Sequence, residues 1–459
     1  MTTTTTLGEI LRPGDDGYEI ARKVWNGTID RHPALIARCR SAGEVAAAVQ
    51  MATKSGMEIA VRGGGHSIPG LSVCEGGLMI DLSPMKGLEV DTDARVARAE
   101  PGLLWGDYDA GTQAHGLASP GGEISHTGVA GLTLGGGIGW LSRAYGLACD
   151  NLIGAEVVLA DGSIVEVDDE SDPDLMWGLR GGGGNFGIVT QFRFRLHPVA
   201  PLYAGMLMWP ASEDTAVLER YLAVAQGAPR ELSLVAAHLV APPAPFVPGD
   251  LQLRPAIAVA AVWTGGAAAG ADAIAPLRSG RPAVDAFEVQ PYTAIQRWFD
   301  DGVPHGRRYH VRSEWLGELD TAAIAELSAS AAAMSSPFNQ VLVRRLGGAI
   351  GDVAPDATAF RYRDAAYMLT IASGWDDGVD DPHVAWTRKS WDRLQPWSGG
   401  GSYVNHLAAD EGRDRVRQAY GEQTWSRLVA LKRRYDPGNV FHLNQNIDPV
   451  DIVDEGRPG

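Results

Sequence analysis

The stretch Gly121–Gly139, GGEISHTGVAGLTLGGGIG, constrains the fold of this chain more than any other. It contains eight glycines, and glycine at this density disfavours the interior of both helices and strands. We therefore predict a winding backbone with few side chains, suited to lie against a flat or long ligand. A flexible linker is the alternative, but the interleaved apolar residues, such as Leu132 and Ile138, favour a packed segment.

A second glycine run ends in a histidine. In Glu58–Pro69, EIAVRGGGHSIP, residues Ile59–Val61 are predicted to form a buried strand, and three glycines follow shortly before His66. Consecutive glycines leave backbone N–H groups open to an anion and allow backbone angles that other residues avoid. The pattern is typical of a turn that holds a phosphate-bearing cofactor and brings an imidazole to its reactive ring. A strand-ending turn with a hydrogen-bonding histidine is the alternative.

Composition and charge narrow the class of protein. The chain has 459 residues, a formal charge of −17 and a pI of about 5.1, which describes an acidic globular protein of two or three domains. This charge repels nucleic acids and anionic membranes, so neither is expected as a partner. The N-terminus lacks a secretory pattern, no apolar run reaches the length of a membrane span, and the three cysteines are scattered. We expect a cytoplasmic protein with no disulfide framework and no metal site.

The first part of the chain, residues 1–199, alternates predicted strands and helices. The helix Ser41–Gly56 has a serine cap, Glu44 three residues later and a terminal glycine. It joins two buried strands, Ala34–Cys39 and Ile59–Val61, in a strand–helix–strand unit. Prolines at the end of this part mark a domain boundary.

The rest of the chain divides into two regions with different sequence patterns. Residues 200–400 contain strand-like runs separated by alanine-rich helices, which is typical of a sheet with helices on one face. Residues 401–459 begin with a short predicted strand, Tyr403–His406, followed by one charged helix, Asp414–Arg434. The closing phrase, Asn439–Ile447, carries several polar side chains that need partners if buried, and we expect it to dock on the first domain.

Three familiar motifs are set aside. A G-x-G-x-x-G pattern occurs within Gly182–Gly187, but a helix is predicted before it and a strand after it, the reverse of a dinucleotide-binding unit. Ser67 lies in a sequence that resembles a nucleophile elbow but has proline in place of the last glycine, which leaves a hydrolase as a weaker alternative. His305 and His310 are assigned to a surface loop rather than to a metal site.

Five segments together resemble a known family. They are VRGGGHS at 61–67, GVAGLTLGGGIGWLSRAYGLACDN at 128–151, GGGGNFGIVT at 181–190, YVN at 403–405 and RRYDPGNVFHLNQNI at 433–447. In this order they resemble the FAD-linked oxidases of the vanillyl-alcohol oxidase (PCMH-type) superfamily, in its berberine-bridge-enzyme-like branch. Among bacterial members the chain is similar to the 6-hydroxynicotine oxidases and to polyketide-tailoring flavoenzymes such as the enterocin-forming flavoprotein.

The resemblance implies an α+β fold in three parts. Residues 1–199 would form a PCMH-type FAD-binding domain of two α/β subdomains. Residues 200–400 would form a substrate-binding domain with a mainly antiparallel sheet covered by helices. Residues 401–459 would form a berberine-bridge-like C-terminal segment that returns to the FAD domain.

The resemblance also implies a covalent cofactor, FAD bonded through its 8α carbon to His66. Several members add a second bond from a cysteine, but this chain has Ile124-Ser125-His126 at that place, so a single bond is expected. The residues implied to contact the cofactor are Arg62, Gly63, Gly64, Gly65, His66, Ser67, Thr127, Gly128, Gly131, Leu132, Gly135, Gly136, Gly137, Gly139, Gly187, Ile188, Val189, Asn444 and Asn446.

The implied reaction is oxidation of a small organic substrate by hydride transfer to flavin N5, with O2 as the acceptor. Tyr403 is expected to receive or orient a substrate proton, and Asn405 and Tyr145 are further catalytic candidates. Tyrosine has an ordinary pKa near 10, so it needs a cationic neighbour to act as a base. Arg344 and Arg345 are candidates, and strand alternation places only one of them on the pocket side.

Several questions stay open in the sequence. An oxygenating enzyme of a secondary-metabolite pathway, a dehydrogenase that avoids O2 and a flavin-free binding protein are the alternatives to an oxidase. The substrate is not identified, although the tryptophan-rich second part favours an aromatic, alkaloid or polyketide compound over a carbohydrate. A homodimer is left open, as is an acyl carrier protein as partner of a polyketide-tailoring enzyme.

Overall fold

The computed structural model describes residues 7–376 and 378–451, so residues 1–6, 377 and 452–459 lie outside it. The strands of the first part are β1 Glu9–Leu11, β2 Leu35–Arg38, β3 Ile59–Arg62, β4 Leu78–Asp81, β5 Leu88–Asp91, β6 Val96–Ala99, β7 Leu117–Ala118, β8 Leu152–Val158, β9 Ile164–Val167, β10 Ile188–Arg195 and β11 His197–Pro198. Its α-helices are α1 Tyr18–Ala21, α2 Ala42–Ser55, α3 Trp105–Gln113, α4 Val129–Leu134, α5 Ser142–Tyr145 and α6 Pro173–Leu179.

A small sheet leads into the glycine run Gly63–Gly65. Its strand order is β1-β2-β4-β3, with β2 and β3 both parallel to β4, and α2 connects β2 to β3. The start of α2 is capped because Ser41 Oγ accepts a hydrogen bond from the Glu44 amide at 3.3 Å. The helix ends at Gly56, whose φ of +64° favours glycine. The predicted strand–helix–strand unit is confirmed, and it ends on the turn that carries His66.

A second sheet is antiparallel and has the order β5-β6-β10-β8-β9. Strands β8 and β9 form a hairpin, with Gly162 at φ +82° in its turn. One face packs against α3 through an aromatic cluster of Trp105, Tyr108 and Phe194. This cluster packs directly against the segment Gly121–Gly139, because a Cβ on Gly121 would lie 2.5 Å from the Trp105 ring.

A large antiparallel sheet occupies the second part of the chain. Its strands are β12 Leu202–Pro210, β13 Leu232–Val240, β14 Pro255–Trp263, β15 Val284–Asp285, β16 Glu288–Gln290, β17 Arg308–Leu316, β18 Gln340–Arg345 and β19 Tyr367–Trp375. The order is β15-β12-β14-β13-β18-β19-β17, and β16 pairs with β12. The helices are α7 Asp214–Gln226, α8 Ala267–Arg278, α9 Tyr292–Ile295, α10 Thr321–Ala332 and α11 Asp381–Arg393.

The two faces of the large sheet have different partners, because successive side chains of a strand point to opposite faces. One face packs against the helices through residues such as Trp209, Leu234 and Val259. The other face, which carries Met208 and Ala258, borders a cavity together with glycines of the first part of the chain.

One strand of this sheet corrects a prediction. The assignment of His310 to a surface loop is wrong, because it lies in β17 and its Nε2 is 3.1 Å from Asp410 Oδ1. Arg308, His310 and Arg312 alternate with Tyr309 and Val311 in this strand. This period-two pattern is typical of a strand with one buried face, but the polar residues made the segment resemble a loop.

The C-terminal segment also differs from prediction. Residues Val404–His406 form a 3₁₀ turn instead of the predicted strand. The predicted helix Asp414–Arg434 is two helices, α12 Gly412–Tyr420 and α13 Glu422–Tyr435. Gly421 separates them with φ +74°, a backbone angle outside the helical region that glycine adopts without strain.

The glycine-dense segment holds a further correction, because α4 occupies its middle. This short helix forms despite Gly131 because Val129, Ala130, Thr133 and Leu134 are buried against the core. The expected α+β class, with a mainly antiparallel sheet covered by helices, is confirmed. Within the described residues, no helix combines the length and the apolar character needed to cross a bilayer.

Candidate functional site

A cavity of about 950 Å³ lies between the glycine segments and the open face of the large sheet. Ligand pockets typically measure roughly 300–1,000 Å³, so this cavity is large enough to hold more than one small molecule. Its walls come from the turn after β3, from the segment containing α4, from the open sheet face and from the C-terminal segment. These four parts are distant in sequence, and only the fold brings them together.

Two glycine segments approach each other more closely than side chains would allow. A Cβ added to Gly64 would lie 2.4 Å from the nitrogen and the Cα of Gly128. Glycine is therefore required here by close approach. Gly131 and Gly184 also border the cavity, and a Cβ on either would meet nothing within 4 Å. Backbone at these positions faces open space that a flat ligand can fill.

His66 lies at the edge of this glycine cradle. Its ring stacks on Trp25 with centroids 4.2 Å apart, and Trp25 stacks in turn on Tyr309 at 3.9 Å. Its Nε2 is buried and has no hydrogen-bond partner among the described residues. Burial lowers the pKa of His66 well below its ordinary value, and neighbouring His126 and His305 act in the same direction. The imidazole is thus neutral at physiological pH and keeps a nitrogen lone pair.

Tyr403 also borders the cavity and is held in place by two hydrogen-bond donors. Its Oη accepts hydrogen bonds from the Gly137 amide and from Asn405 Nδ2, both at 2.9 Å. Because both partners donate, the phenol hydrogen is free to be donated onward. Burial raises the pKa of Tyr403 to about 12, although the hydrogen bond from Gly137 opposes the shift. Asn405 fits because Gly135 has no side chain: a Cβ there would lie 2.0 Å from the amide oxygen.

His406 and an ion pair complete the polar groups near Tyr403. His406 borders the cavity, and burial together with the charge of Arg344 lowers its pKa to about 3. Its Nδ1 is buried without a hydrogen-bond partner in the described part of the chain. Arg344 binds both carboxylate oxygens of Glu123, and its Nε is 3.1 Å from Oε1. Arg345 lies on the other sheet face, over the ring of Tyr367, so Arg344 is the arginine on the cavity side.

The C-terminal tail is anchored beside the cavity by a buried cation. Lys432 Nζ contacts Asp436 Oδ2 at 2.7 Å and donates to the carbonyls of Asn185 and Phe441 at 2.8 and 2.9 Å. Asn185 in turn accepts a hydrogen bond from the Ile447 amide at 3.0 Å. These contacts hold the tail against the glycine turn before β10.

Most of the residues implied to bind the cofactor border the cavity. They are Gly63, Gly64, Gly65, His66, Ser67, Thr127, Gly128, Gly131, Leu132, Gly135, Gly187, Ile188, Val189 and Asn444. Tyr403 and Asn405 border it as well.

Five implied cofactor residues do not border the cavity: Arg62, Gly136, Gly137, Gly139 and Asn446. The Arg62 guanidinium donates instead to the Ala21 carbonyl. Gly136 and Gly139 face protein, since a Cβ would lie 2.7 Å from the Phe360 ring and 2.4 Å from the Gly121 carbonyl, respectively.

The remaining two residues are Gly137 and Asn446, which contact other parts of the protein. Gly137 serves the site indirectly, through its amide on Tyr403. Asn446 directly precedes Ile447, whose amide is bound by Asn185, and the Oδ1 of Asn446 is buried without a partner in the described residues. The tail therefore brings Asn444 to the cavity, while Asn446 lies outside its lining.

Tyr145 is a further correction. Its ring stacks on His197 with centroids 4.4 Å apart, and its Oη lies 3.5 Å from the Pro198 carbonyl. It does not border the cavity, so a role in catalysis has no geometric support. The side chain packs against a cluster that includes Val235 and Val262 of the large sheet.

Sequence reasoning missed several cavity residues, notably Trp25, Glu123 and His406. Glu123 lies in the glycine-dense stretch Gly121–Gly139, and His406 directly follows the YVN segment of the resemblance. Their polarity inside glycine-rich or apolar surroundings was the available signal. Trp25 carried no signal, because its stacking on His66 depends on the approach of two chain segments.

Two family models and a curated relative match this chain. The family described as FAD binding domain matches residues 33–168, and the family described as berberine and berberine like matches residues 402–448. Over 461 residues the chain is 32% identical to (R)-6-hydroxynicotine oxidase of Paenarthrobacter nicotinovorans, covering 96% of this chain and 97% of the relative.

Solved structures give the same result. 6-Hydroxy-D-nicotine oxidase from Arthrobacter nicotinovorans matches with a TM-score of 0.88 and 28% identity, covering 98% of this chain and 99% of that one. Glucooligosaccharide oxidase from Acremonium strictum, whose FAD is described as 6-S-cysteinyl and 8α-N1-histidyl, matches with a TM-score of 0.84 and 25% identity over 97% of this chain and 98% of that one.

The residues present fit FAD. The glycine cradle leaves room for a dinucleotide against bare backbone, and the unpartnered His66 nitrogen lies at its edge. Asn444 reaches the same cavity with a buried Oδ1 that lacks a partner among the described residues. Together with similarity over nearly the whole length of a curated oxidase, these features identify the family. The chain belongs to the FAD-linked oxidoreductases of the berberine-bridge-enzyme-like family.

Proposed function

We propose that this protein is an oxidase that binds FAD covalently through His66 and oxidises a small organic substrate, with O2 as the acceptor. The observation that carries the proposal is the neutral, buried His66, whose Nε2 has no partner in the described residues and which borders the glycine cradle. A buried polar atom without a partner costs free energy, and a bond to the cofactor removes that cost.

The bond through His66 is proposed to be the only one. Glucooligosaccharide oxidase is described as having cysteinyl and histidyl attachments, whereas this chain has Ile124-Ser125-His126 in the corresponding segment. Cys74 and Cys149 are buried and do not border the cavity. Burial raises the pKa of the Cys149 thiol well above its usual value, which suppresses its reactivity.

The chain's own residues have distinct roles in the proposed reaction. When bound, FAD supplies the hydride acceptor and a route for the electrons to O2. Tyr403 is a neutral donor that orients the substrate oxygen or nitrogen, because its Oη already accepts two hydrogen bonds. His406 is neutral and borders the same cavity, and we assign its unpartnered Nδ1 the role of accepting a hydrogen bond from the substrate. Asn405 positions Tyr403 and does not act on the substrate itself.

A division of labour along the chain is part of the proposal. Residues 1–199 hold the cofactor, residues 200–400 supply the sheet face over the substrate, and residues 401–459 return to the cofactor region. The cavity lining supports this division, since glycines come from the first part and the open sheet face from the second. The substrate and O2 are the proposed partners.

Acid precipitation tests the covalent bond. We expect the yellow chromophore to stay in the protein pellet of the natural chain and to appear in the supernatant of His66→Ala. His305→Ala is the matched control, because it removes an imidazole only 6.3 Å from His66 between ring centroids and should retain the chromophore. Release of all flavin from the natural chain would contradict the bond.

A substrate screen tests the reaction. Alcohols and amines are mixed with the protein in the presence of ¹⁸O2, and peroxide and product are analysed. Peroxide with no label in the product supports an oxidase. Label in the product would instead establish an oxygenating enzyme, and reduction without reoxidation by O2 would establish a dehydrogenase.

A further inference from the structure

The cavity extends beyond Tyr403 and His406 along the open face of the large sheet. One residue from each of five adjacent strands forms a row in register: Thr370, Leu342, Ala237, Ala258 and Met208. All five border the cavity. Neighbouring strands lie about 4.8 Å apart, so the row spans roughly 19 Å.

The reacting end of this row lies beside Tyr403. Thr370 pairs with Ser313 of β17, and Ser313 Oγ accepts a hydrogen bond from the Tyr403 amide at 3.2 Å. The Thr370 hydroxyl is buried and has no partner among the described residues. The row therefore begins at polar groups that a substrate can satisfy.

Away from that end the row is apolar. Ala237, Ala258 and their neighbour Ala260 form a shallow floor between the longer Leu342 and Met208, and we call these five residues the sheet trough. The adjacent row contributes Val235 and Met206 and, as its only charge, Arg344, which Glu123 neutralises.

The far end of the sheet trough opens beneath a rigid loop, residues 241–254. Prolines recur in its sequence, APPAPFVPGDLQLR, and Ala241 exchanges backbone hydrogen bonds with Leu253 and Arg254 at its base. Val247 and Leu251 anchor it in a cluster that includes Met208. The loop is thus held in place before any ligand arrives.

This loop exposes apolar side chains at the mouth of the cavity. Phe246 is 50% exposed and Leu253 67% exposed, and both border the cavity. Phe338, 38% exposed, borders it from the segment before β18, at the same end of the strands. Exposed apolar groups gathered around an opening mark a binding surface for an apolar ligand.

We propose that the sheet trough binds an apolar arm of the substrate, which rests on the proposed function of the same cavity. The substrate is then an uncharged molecule whose oxidised end lies at Tyr403 and His406 and whose hydrocarbon arm runs past Ala258 towards Phe246. The glycine cradle and His66, which we assign to the cofactor, do not include any residue of the sheet trough. The sheet trough disfavours a polyhydroxylated arm because its five apolar side chains offer no hydrogen-bond partner to a buried hydroxyl.

Straight-chain primary alcohols test this inference through binding rather than turnover. The holoenzyme is titrated with alcohols from butanol to decanol, and binding is followed by the change in the flavin absorption spectrum. Burial of each methylene should lower Kd about fourfold. A terminal carboxylate on the same chain should weaken binding at least tenfold. A Kd independent of chain length would overturn the inference.

Two variants locate the arm. Ala258→Phe fills the sheet trough and should weaken decanol binding about a hundredfold while leaving butanol within about twofold. Phe246→Ser, on the exposed rim, should weaken decanol about tenfold; its matched control is Ile164→Ser, which removes a 44% exposed side chain away from the cavity. Equal effects of Phe246→Ser and Ile164→Ser would contradict the location, even if Ala258→Phe does not fold.

The outcome separates this inference from the proposed function. A preparation without flavin would refute the proposed cofactor, but alcohol binding could still be followed through the fluorescence of Trp298, which borders the cavity. A flavin-loaded preparation with no preference for long chains would refute only the apolar arm.

Discussion

At the scale of single residues, hydrogen-bond direction decides what Tyr403 can do. The sequence suggested a tyrosine that acts as a base with help from an arginine. The structure instead surrounds its Oη with the Gly137 and Asn405 donors, while Arg344 is bound to Glu123. Since burial raises the pKa of Tyr403 to about 12, the phenol stays protonated and serves as a donor.

Tyr403→Phe therefore removes one donated hydrogen bond and leaves the ring in place. We expect the rate of anaerobic flavin reduction by a substrate to fall about tenfold, as the loss of one hydrogen bond predicts, measured by stopped-flow absorbance. Tyr362→Phe is the control, because Tyr362 also bonds through its hydroxyl and stacks on Trp315 but does not border the cavity. An unchanged rate in Tyr403→Phe would remove this residue from the mechanism.

At the scale of elements, the short helix α4 forms part of the cavity wall. Its buried residues hold it in the core, while Gly131 faces the cavity, where a Cβ would meet no protein atom within 4 Å. A side chain at this position can therefore be added without cost to packing, but it would occupy the space that we propose for the cofactor.

Gly131→Leu separates folding from cofactor binding. Leucine favours a helix by almost 1 kcal/mol over glycine, so the thermal midpoint of the apoprotein should not fall. The flavin-to-protein absorbance ratio should drop below about a tenth of its natural value, because the side chain fills the cradle. Gly227→Leu, which also has open space but does not border the cavity, should keep its flavin. Normal flavin content in Gly131→Leu would contradict the placement of the cofactor.

The C-terminal tail depends on one buried ion pair. Lys432 and Asp436 are both fully buried, and Asp436 also accepts hydrogen bonds from the amides of Val440 and Phe441 at 2.8 and 2.9 Å. The pair thus connects α13 to the stretch that brings Asn444 to the cavity.

Lys432→Met leaves the carboxylate of Asp436 buried without its cation. We expect a loss of about 3–5 kcal/mol in the free energy of unfolding, measured by urea denaturation, with a lower flavin content because the tail loosens. Lys54→Met, at an exposed lysine of α2, should change stability by less than about 0.5 kcal/mol. Equal stabilities of the two variants would show that the pair does not hold the tail.

At the scale of the whole molecule, a buried carboxyl lies where the first and second parts of the chain meet. Asp109 of α3 is fully buried, and its Oδ2 accepts a hydrogen bond from Gln296 Nε2, just after α9, at 2.8 Å. Its Oδ1 has no partner among the described residues. Burial raises the pKa of Asp109 to about 8, so the folded protein holds this carboxyl protonated at neutral pH.

Asp109→Asn should stabilise the protein in a pH-dependent way. The pKa of Asp109 is raised in the folded state above the ordinary value near 3.9, so its stabilising contribution is complete below about pH 4 and is lost as the pH rises towards 8. Asparagine keeps the acceptor for Gln296 but does not titrate. We expect the gain in free energy of unfolding to be about 2–4 kcal/mol larger at pH 8 than at pH 5.

Urea denaturation at the two pH values measures this difference. Asp107→Asn is the control, because this carboxyl of the same helix is exposed and contacts Lys86. Its gain should hardly change with pH. A gain from Asp109→Asn that is the same at pH 5 and pH 8 would show that the carboxyl is ionised in the folded state.

Local sequence signals predicted a large share of the fold because they act over a few residues. The Ser41 cap, the end of the same helix at Gly56 and the strand-like runs of residues 200–400 were identified in this way. The prediction failed where tertiary packing outweighed the local signal: the YVN segment became a 3₁₀ turn against β17, and alternating charges concealed β17 itself. Local patterns do not report such contacts.

The residues of the candidate site likewise fall into those that the sequence predicted and those that only the structure identified. The sequence by itself determined the glycine cradle and His66, because only glycine permits the approach of Gly64 to Gly128 and that requirement is written locally. Only the tertiary structure decided that Tyr145 lies away from the cavity and that five strands align an apolar row. It also decided that Glu123 neutralises Arg344, which lies 221 positions later in the chain. The physical reason is that close backbone approach demands a particular residue, whereas pairing and exposure depend on which distant segments the fold brings together.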